Sequence, residues 1–223
     1  MLTPAEFWND QPVIPVIVIN NADKAVELAQ TLVASGIKKI EITLRTPAAL
    51  EAISRISAQV PEALVGAGTV LDHQTAIRAV EVGAKFIVSP GATKNLLKAL
   101  EGSGLPFLPG CSTLSEALEL IDNGVTTAKF FPAVESGGTA WLKAVSTVIP
   151  QISFCPTGGI GSANYKDFLK LPNVVCVGGS WIAPAKLIDE GNWEEIKKKE
   201  KGRTSPLDGV AMSQPALPLV EKL

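Results

Sequence analysis

The chain has a single histidine, His73, and only three cysteines, Cys111, Cys155 and Cys176, spread widely over 223 residues. Nothing in it has the His/Cys spacing of a zinc site, and three separated cysteines cannot make a disulfide framework. No metal or other cofactor is implied. An excess of one charge is missing as well: 20 Lys and Arg face 22 Asp and Glu, for a formal charge of -2. A chain so balanced has no overall field with which to hold a polyanion, so no nucleic-acid partner is expected. Long apolar runs are lacking too. The longest, residues 13–19, contains Pro15 and falls far short of the roughly 20 apolar residues of a membrane-spanning helix. No Lys or Arg precedes Lys24, where a secretory signal would carry its positive start. These absences lead us to expect a reducing cytoplasm, no structural disulfide and no membrane partner. What is present, 46% hydrophobic against 19% charged residues, excludes a disordered chain and suffices for one sizeable domain with a full core.

Short β-rich apolar runs begin near Val13, Lys38, Leu64, Lys85, Pro106, Thr127, Ile152 and Asn173, about 21 to 26 residues apart. Helical periodicity fills the gaps: Ala25, Leu28, Ala29, Leu32 and Val33 share one stripe, as do Leu114, Ala117, Leu118 and Ile121. Asp72 suits an N-cap, Thr113 with Glu116 a capping box, and Gly36, Gly83 and Gly124 left-handed helix ends. Eight strand–helix units at this period predict parallel strands with crossover helices, closed as a (β/α)8 TIM barrel. An open doubly wound sheet also alternates strands and helices, but no run is followed by a G-x-G-x-x-G turn, and several strands carry polar alternates. Residues 3–10 predict a short N-terminal helix over the bottom of the barrel. The single domain is expected to span residues 1–204, with residues 205–223 a Pro-containing tail.

A barrel carries its active site at the C-terminal ends of its strands, so the informative residues are the polar ones that point inward there. Period two puts Glu41, Thr43 and Arg45 on one face, while Ile40, Ile42 and Leu44 pack against helices. On another strand Lys129 shares a face with Thr127 and Phe131. Burying an ammonium is expensive, and desolvation favours the neutral amine, which can attack a carbonyl and form a Schiff base. Glu41 offers the carboxylate that such chemistry needs for its proton transfers. Turns at Thr157-Gly158-Gly159-Ile160 and Gly178-Gly179-Ser180-Trp181 close the last two strands, where backbone N–H groups make an anion site. A side chain added at Gly159 or Gly179 is expected to obstruct that anion. Gly66-Ala67-Gly68-Thr69 ends the third strand and would let a ligand approach the backbone, with Thr69 a hydroxyl donor. His73 reads as a surface residue, the KKKEKGR run at 197–203 as a solvated helix end, and Cys155 and Cys176 as small core fillers.

Together, EITLRT at 41–46, GAGTV at 66–70, SPG at 89–91, KFFPA at 129–133, CPTGGI at 155–160 and GGSW at 178–181 resemble the bacterial 2-keto-3-deoxy-6-phosphogluconate (KDPG) aldolases, also called the KDPG/KHG aldolase family. The likeness runs from about Pro12 to Trp193, with GIGSANY standing where GISPANY is more usual. It implies a class I lyase of the Entner-Doudoroff pathway that cleaves KDPG to pyruvate and glyceraldehyde 3-phosphate without a metal. By the same resemblance Lys129 is the Schiff-base lysine and Glu41 the general acid/base. Arg45 and Thr69 hold the pyruvyl carboxylate beside Thr157. Gly158, Gly159, Gly179 and Ser180 bind the phosphate, and Gly178, Pro90 and Phe131 also line the substrate. Family members are homotrimers and often cleave 4-hydroxy-2-oxoglutarate too. The sequence leaves the C4 configuration open, so the galactonate epimer of the substrate also fits. A phosphosugar isomerase using Lys129 and Glu41 without a covalent step, or a non-catalytic sensor, would share some of these residues but not account for Arg45.

Overall fold

The computed structural model describes residues 4–101 and 103–201. Nine strands run β1 (Val13–Ile17), β2 (Lys39–Thr43), β3 (Leu64–Gly68), β4 (Ile87–Val88), β5 (Phe107–Leu108), β6 (Gly110–Cys111), β7 (Thr127–Phe130), β8 (Ser153–Pro156) and β9 (Val177–Gly179). Ten helices accompany them: α1 (Pro4–Asn9), α2 (Ala25–Ala34), α3 (Ala49–Gln59), α4 (His73–Glu81), α5 (Lys94–Leu100), α6 (Leu114–Asp122), α7 (Gly138–Val145), α8 (Tyr165–Leu169), α9 (Ala185–Glu190) and α10 (Trp193–Lys201). All pairings are parallel. A six-stranded sheet has the order β5-β4-β3-β2-β1-β9 and a three-stranded sheet the order β6-β7-β8. The result is an α/β fold whose parallel sheet forms a half-barrel with its crossover helices outside.

Each of the eight expected runs contains a strand, but the fifth is split. Pro109 has no N–H to give to a ladder, so Phe107–Leu108 pairs with β4 while Gly110–Cys111 pairs with β7. The Pro109 carbonyl still accepts from Lys129 N at 2.8 Å. Between β8 and β9 the contact is two isolated bridges, Phe154 with Val174 and Thr157 with Gly178. A continuous eight-stranded ladder is therefore not what the fold displays.

Local signals hold where the chain alone controls them. Asp72 caps α4 by accepting from Thr75 N, and Thr113 and Glu116 form the capping box of α6. Gly36, Gly83 and Gly124 have φ of 86°, 97° and 76°. Helix α2 buries the stripe Ala25, Leu28, Ala29 and Leu32. Helix α6 departs from expectation: Ala117 and Leu120 are buried, whereas Leu114 and Leu118 are 37% and 44% exposed. Both stripes satisfy a 3.6-residue period, and packing against the sheet selects the one through Leu120.

Two cores result. The larger lies between sheet and helices. A smaller inner one joins Trp8, Ile14, Phe86, Val88, Leu108, Cys155, Val175 and Cys176. Helix α1 floors this inner core at the N-terminal strand ends, as expected of residues 3–10, of which residue 3 lies outside the described residues. Trp8 is fully buried edge-on to Phe86, with ring centroids 5.4 Å apart. The Gln11 amide donates to Val13 O and Lys39 O and accepts from Lys38 N and Lys39 N, all within 2.8–2.9 Å. Asp10 forms an ion pair with buried Lys39. The Lys/Glu-rich helix end is α10, where Lys197 pairs with Glu194 and Lys198 with Glu195; residues 202–223, with the expected tail, lie outside the described residues.

Candidate active site

A cavity of about 350 Å³ opens at the C-terminal ends of the strands. Glu41 and Arg45 enter it from β2 and the turn after it, Thr69 from the end of β3, and Pro90 from beyond β4. Lys129 comes from β7 and Phe131 from just beyond it, Thr157, Gly158 and Gly159 from beyond β8, Gly178 and Gly179 from β9, and Ser180 from just beyond it. Every candidate taken from the sequence thus reaches one cavity. Three lining residues were not among those candidates: Val16, Thr43 and Ile160. Thr43 shares the inward face of β2 with Glu41, so alternation marks it, and Ile160 closes the CPTGGI motif. Val16 belongs to an apolar run in which nothing distinguishes inward from outward. A larger depression of about 430 Å³ between α2 and α10, lined by Glu27, Trp193 and Lys197 among others, holds none of the candidates and is helix surface.

At the floor of the site Lys129 Nζ stands 3.4 Å from Glu41 Oε1, and the two residues are 5% and 3% exposed. Strand register puts them there. Lys129 lies opposite Gly110 on one side and Cys155 on the other, and Glu41 opposite Gly66. The Lys129 ammonium also lies 5.4 Å from the centre of the Phe131 ring. Thr43 Oγ1 donates to Ile17 O at 2.7 Å and Thr46 Oγ1 to Ile19 O at 2.5 Å, which tie the turn carrying Arg45 to β1 and the residues just after it. Arg45 itself is exposed at the mouth, and no carboxylate of the described residues pairs with it. A free guanidinium at the rim of a cavity with a buried Lys–Glu pair suits a substrate that carries its own carboxylate.

Thr69 has φ +60°, the one left-handed non-glycine among the described residues. A β-branched residue rarely adopts that conformation, and strain of this kind concentrates at ligand sites. The glycine turns line the same cavity. Gly158 and Gly159 have φ of 101° and 68°, which L side chains resist. Among the described residues the N–H groups of Gly158, Gly159 and Ser180 donate to no protein acceptor, so they are available to an anion.

Two expectations about glycines are corrected. A Cβ at Gly179 would lie 1.6 Å from the Trp181 ring and one at Gly159 2.6 Å from Val134, so these glycines make room for an indole and an isopropyl group, and a side chain there would meet Trp181 or Val134 first. At Gly66 and Gly68 the space is filled by Phe86 and by the Glu41 carboxylate, not left for a ligand. The minor candidates agree with their sequence reading. His73 is exposed at the start of α4. Cys155 and Cys176 are buried; a hydrogen bond with Cys155 and then burial push the Cys176 thiol well above its usual range. Burial pushes Cys111 up to about 12. Among the described residues no group of His, Cys, Asp and Glu could hold a metal ion, and no helix is long and apolar enough to cross a membrane.

Comparison with known proteins bears on this site. A family model described as KDPG and KHG aldolase matches residues 5–199. The KHG/KDPG aldolase of Escherichia coli is 48% identical over 187 residues, covering 84% of this chain and 88% of that protein. The 2-dehydro-3-deoxy-phosphogluconate aldolase of Pseudoalteromonas atlantica is 44% identical over 205 residues, covering 92% and 95%. In structure, the Legionella pneumophila KDPG aldolase, solved with pyruvate captured as a covalent carbinolamine, superposes with a TM-score of 0.88 at 45% identity, covering 92% of this chain and 99% of that one.

Proposed function

The chain belongs to the KDPG and KHG aldolase family, and on that premise we propose that it is a class I aldolase cleaving 2-keto-3-deoxy-6-phosphogluconate to pyruvate and glyceraldehyde 3-phosphate. The observation that carries this reading is the buried Lys129–Glu41 pair at 3.4 Å in one cavity with the free Arg45 and the open N–H groups of two glycine turns.

The chemistry follows from that layout. Lys129 Nζ attacks the C2 carbonyl, and Glu41 supplies the proton with which the carbinolamine loses water. The iminium that results is an electron sink adjacent to C3. Glu41 then takes the proton of the C4 hydroxyl, the C3–C4 bond breaks, and its electron pair moves into the enamine. Glyceraldehyde 3-phosphate leaves; protonation of the enamine at C3 and hydrolysis of the imine return Lys129 and release pyruvate. Arg45 and Thr69 hold the carboxylate, Thr157, Pro90 and Phe131 wall the pyruvyl end, and Gly158, Gly159, Gly178, Gly179 and Ser180 hold the phosphate. Binding energy from that remote phosphate helps to set C4 over Glu41. The same lysine and glutamate cleave 4-hydroxy-2-oxoglutarate, which lacks the phosphate.

The test is borohydride reduction in the presence of pyruvate, followed by peptide mass mapping. A reduced pyruvyl adduct on Lys129 is expected; turnover of KDPG with no adduct would overturn the covalent mechanism. Pyruvate release from KDPG, its C4 epimer and 4-hydroxy-2-oxoglutarate ranks the substrates.

In the same reading the strands close into a (β/α)8 barrel. The bridges Phe154–Val174 and Thr157–Gly178 support closure on one side, and the continuity of β5 and β6 through Pro109 supports it on the other. The described residues belong to the one domain expected over residues 1–204, residues 205–223 lie outside the described residues, and the three free, buried cysteines suit a reducing cytoplasm. Chains assemble as homotrimers. Exposed Leu71, Ile77 and Val80 on and before α4, and Leu114 and Leu118 on α6, are apolar surface that assembly would cover. Sedimentation equilibrium at the mass of a monomer would refute the trimer.

A further inference from the structure

We propose that Gly68 is a positioning residue, whose missing side chain is the seat of the Glu41 carboxylate. The inference rests on the reading of Glu41 as the proton carrier. Glu41 lies opposite Gly66 in the β2–β3 ladder, and its side chain leans along the strand direction until its carboxylate covers the next inward position, Gly68. A Cβ built at Gly68 would stand 2.0 Å from Glu41 Oε1 and 2.7 Å from its carboxyl carbon and Cγ. Ordinary contact begins near 3.4 Å, so the carboxylate would have to withdraw by more than an ångström. The oxygen displaced is the one that faces Lys129 Nζ.

The requirement comes from the side-chain space and not from the backbone. Gly68 has no positive φ, unlike Thr69 beside it, so alanine is compatible with its conformation. Its carbonyl accepts from Leu44 N at 2.8 Å, a bond alanine also makes. Substitution therefore moves the proton carrier while leaving the strand in place. A displacement of about 1 Å at a reacting group is worth about 100-fold in rate. Gly68 thus allows a full-length glutamate to lie flat against β3 and still reach both the lysine and the C4 hydroxyl.

The experiment compares Gly68→Ala, Glu41→Ala and the double variant in the coupled pyruvate assay, with circular dichroism as the fold control. Gly68→Ala is expected to lower kcat by about 30- to 300-fold with KM changed by less than about threefold, since substrate is held at other positions. In the Glu41→Ala background, where the side chain beyond Cβ is gone and that space is empty, adding Gly68→Ala is expected to cost less than about threefold of the residual kcat. A merely structural role would cost the same factor in both backgrounds, and that result would overturn the proposal, as would a normal kcat in Gly68→Ala. If Gly68→Ala does not fold, recovery of the fold in the double variant supports the steric assignment, and failure to recover it refutes it. Should the unmodified protein not cleave KDPG, the reading of the site fails first; should it cleave KDPG while Gly68→Ala is unimpaired, only the role of Gly68 fails.

Discussion

Removing the lysine amine tests the chemistry and the electrostatics of the site together. Lys129→Met keeps an unbranched side chain of similar length, so packing is largely retained while Glu41 loses its cation. Breaking a fully buried pair by removing one partner costs about 3–5 kcal/mol. Here the pair is long, at 3.4 Å, and sits at the floor of a cavity open at the strand ends, where water can solvate the orphaned carboxylate. The cost should therefore lie lower, at about 1–3 kcal/mol. For a chain of this length about 1 kcal/mol moves Tm by roughly 2–4 °C, which predicts a fall of about 2–12 °C by scanning calorimetry at pH 7. Adding Glu41→Gln removes the stranded charge and should recover at least half of the loss. Activity behaves differently: Lys129→Met, Lys129→Arg and the double variant should all be dead in the coupled assay, because none can form the imine. Two results would refute the reasoning. One is substantial turnover in Lys129→Arg; the other is a double variant as unstable as the single, which would mean that the loss came from packing.

Glu41→Gln keeps the shape of the site but removes proton transfer, so kcat should fall by about 10²–10⁴ with KM nearly unchanged; a rise in KM alone would make Glu41 a binding residue. Ser180→Asp puts a carboxylate among the open N–H groups and should cut kcat/KM on KDPG far more than on 4-hydroxy-2-oxoglutarate, whereas Gly179→Ala, which meets Trp181 instead, should lower Tm and impair both substrates alike. Thr69→Asn relaxes the left-handed backbone and should raise Tm by about 1–3 °C while lowering kcat/KM; a fall in Tm would show that the position is not strained. A water-soluble thiol reagent should label none of Cys111, Cys155 and Cys176 in native buffer and all three in denaturant, since all are buried and desolvation holds Cys111 at about 12. Rapid native labelling of any one would contradict this.

Features that one strand or one helix controls were legible in the sequence. Alternation assigned Glu41 and Arg45 to one face of β2 and Lys129 to the inward face of β7, and spacing of the runs placed their C-terminal ends together. Caps were legible for the same reason: Asp72, Thr113 and the glycines Gly36, Gly83 and Gly124 act within a few residues of themselves. The motifs around Lys129 and Gly158 then identified the family, because chemistry fixes residue types at those positions.

Tertiary structure decided what depends on residues far apart in the chain. Period two puts Lys39 on the same inward face as Glu41, and nothing local separates it from Lys129 as a buried amine. The docked α1 does so: Asp10 pairs with Lys39 and the Phe7 ring lies 4.8 Å from its ammonium, so that lysine is sealed at the floor, while Lys129 meets Glu41 and the Phe131 ring beneath an open cavity. Helix α6 likewise had two equivalent apolar stripes until the sheet chose Leu120 over Leu118. The glycines of the third strand looked like room for a ligand and turned out to be room for Phe86 and Glu41, partners 20 and 27 residues away. A sequence displays that a side chain is missing; only packing across strands shows which neighbour needs the space.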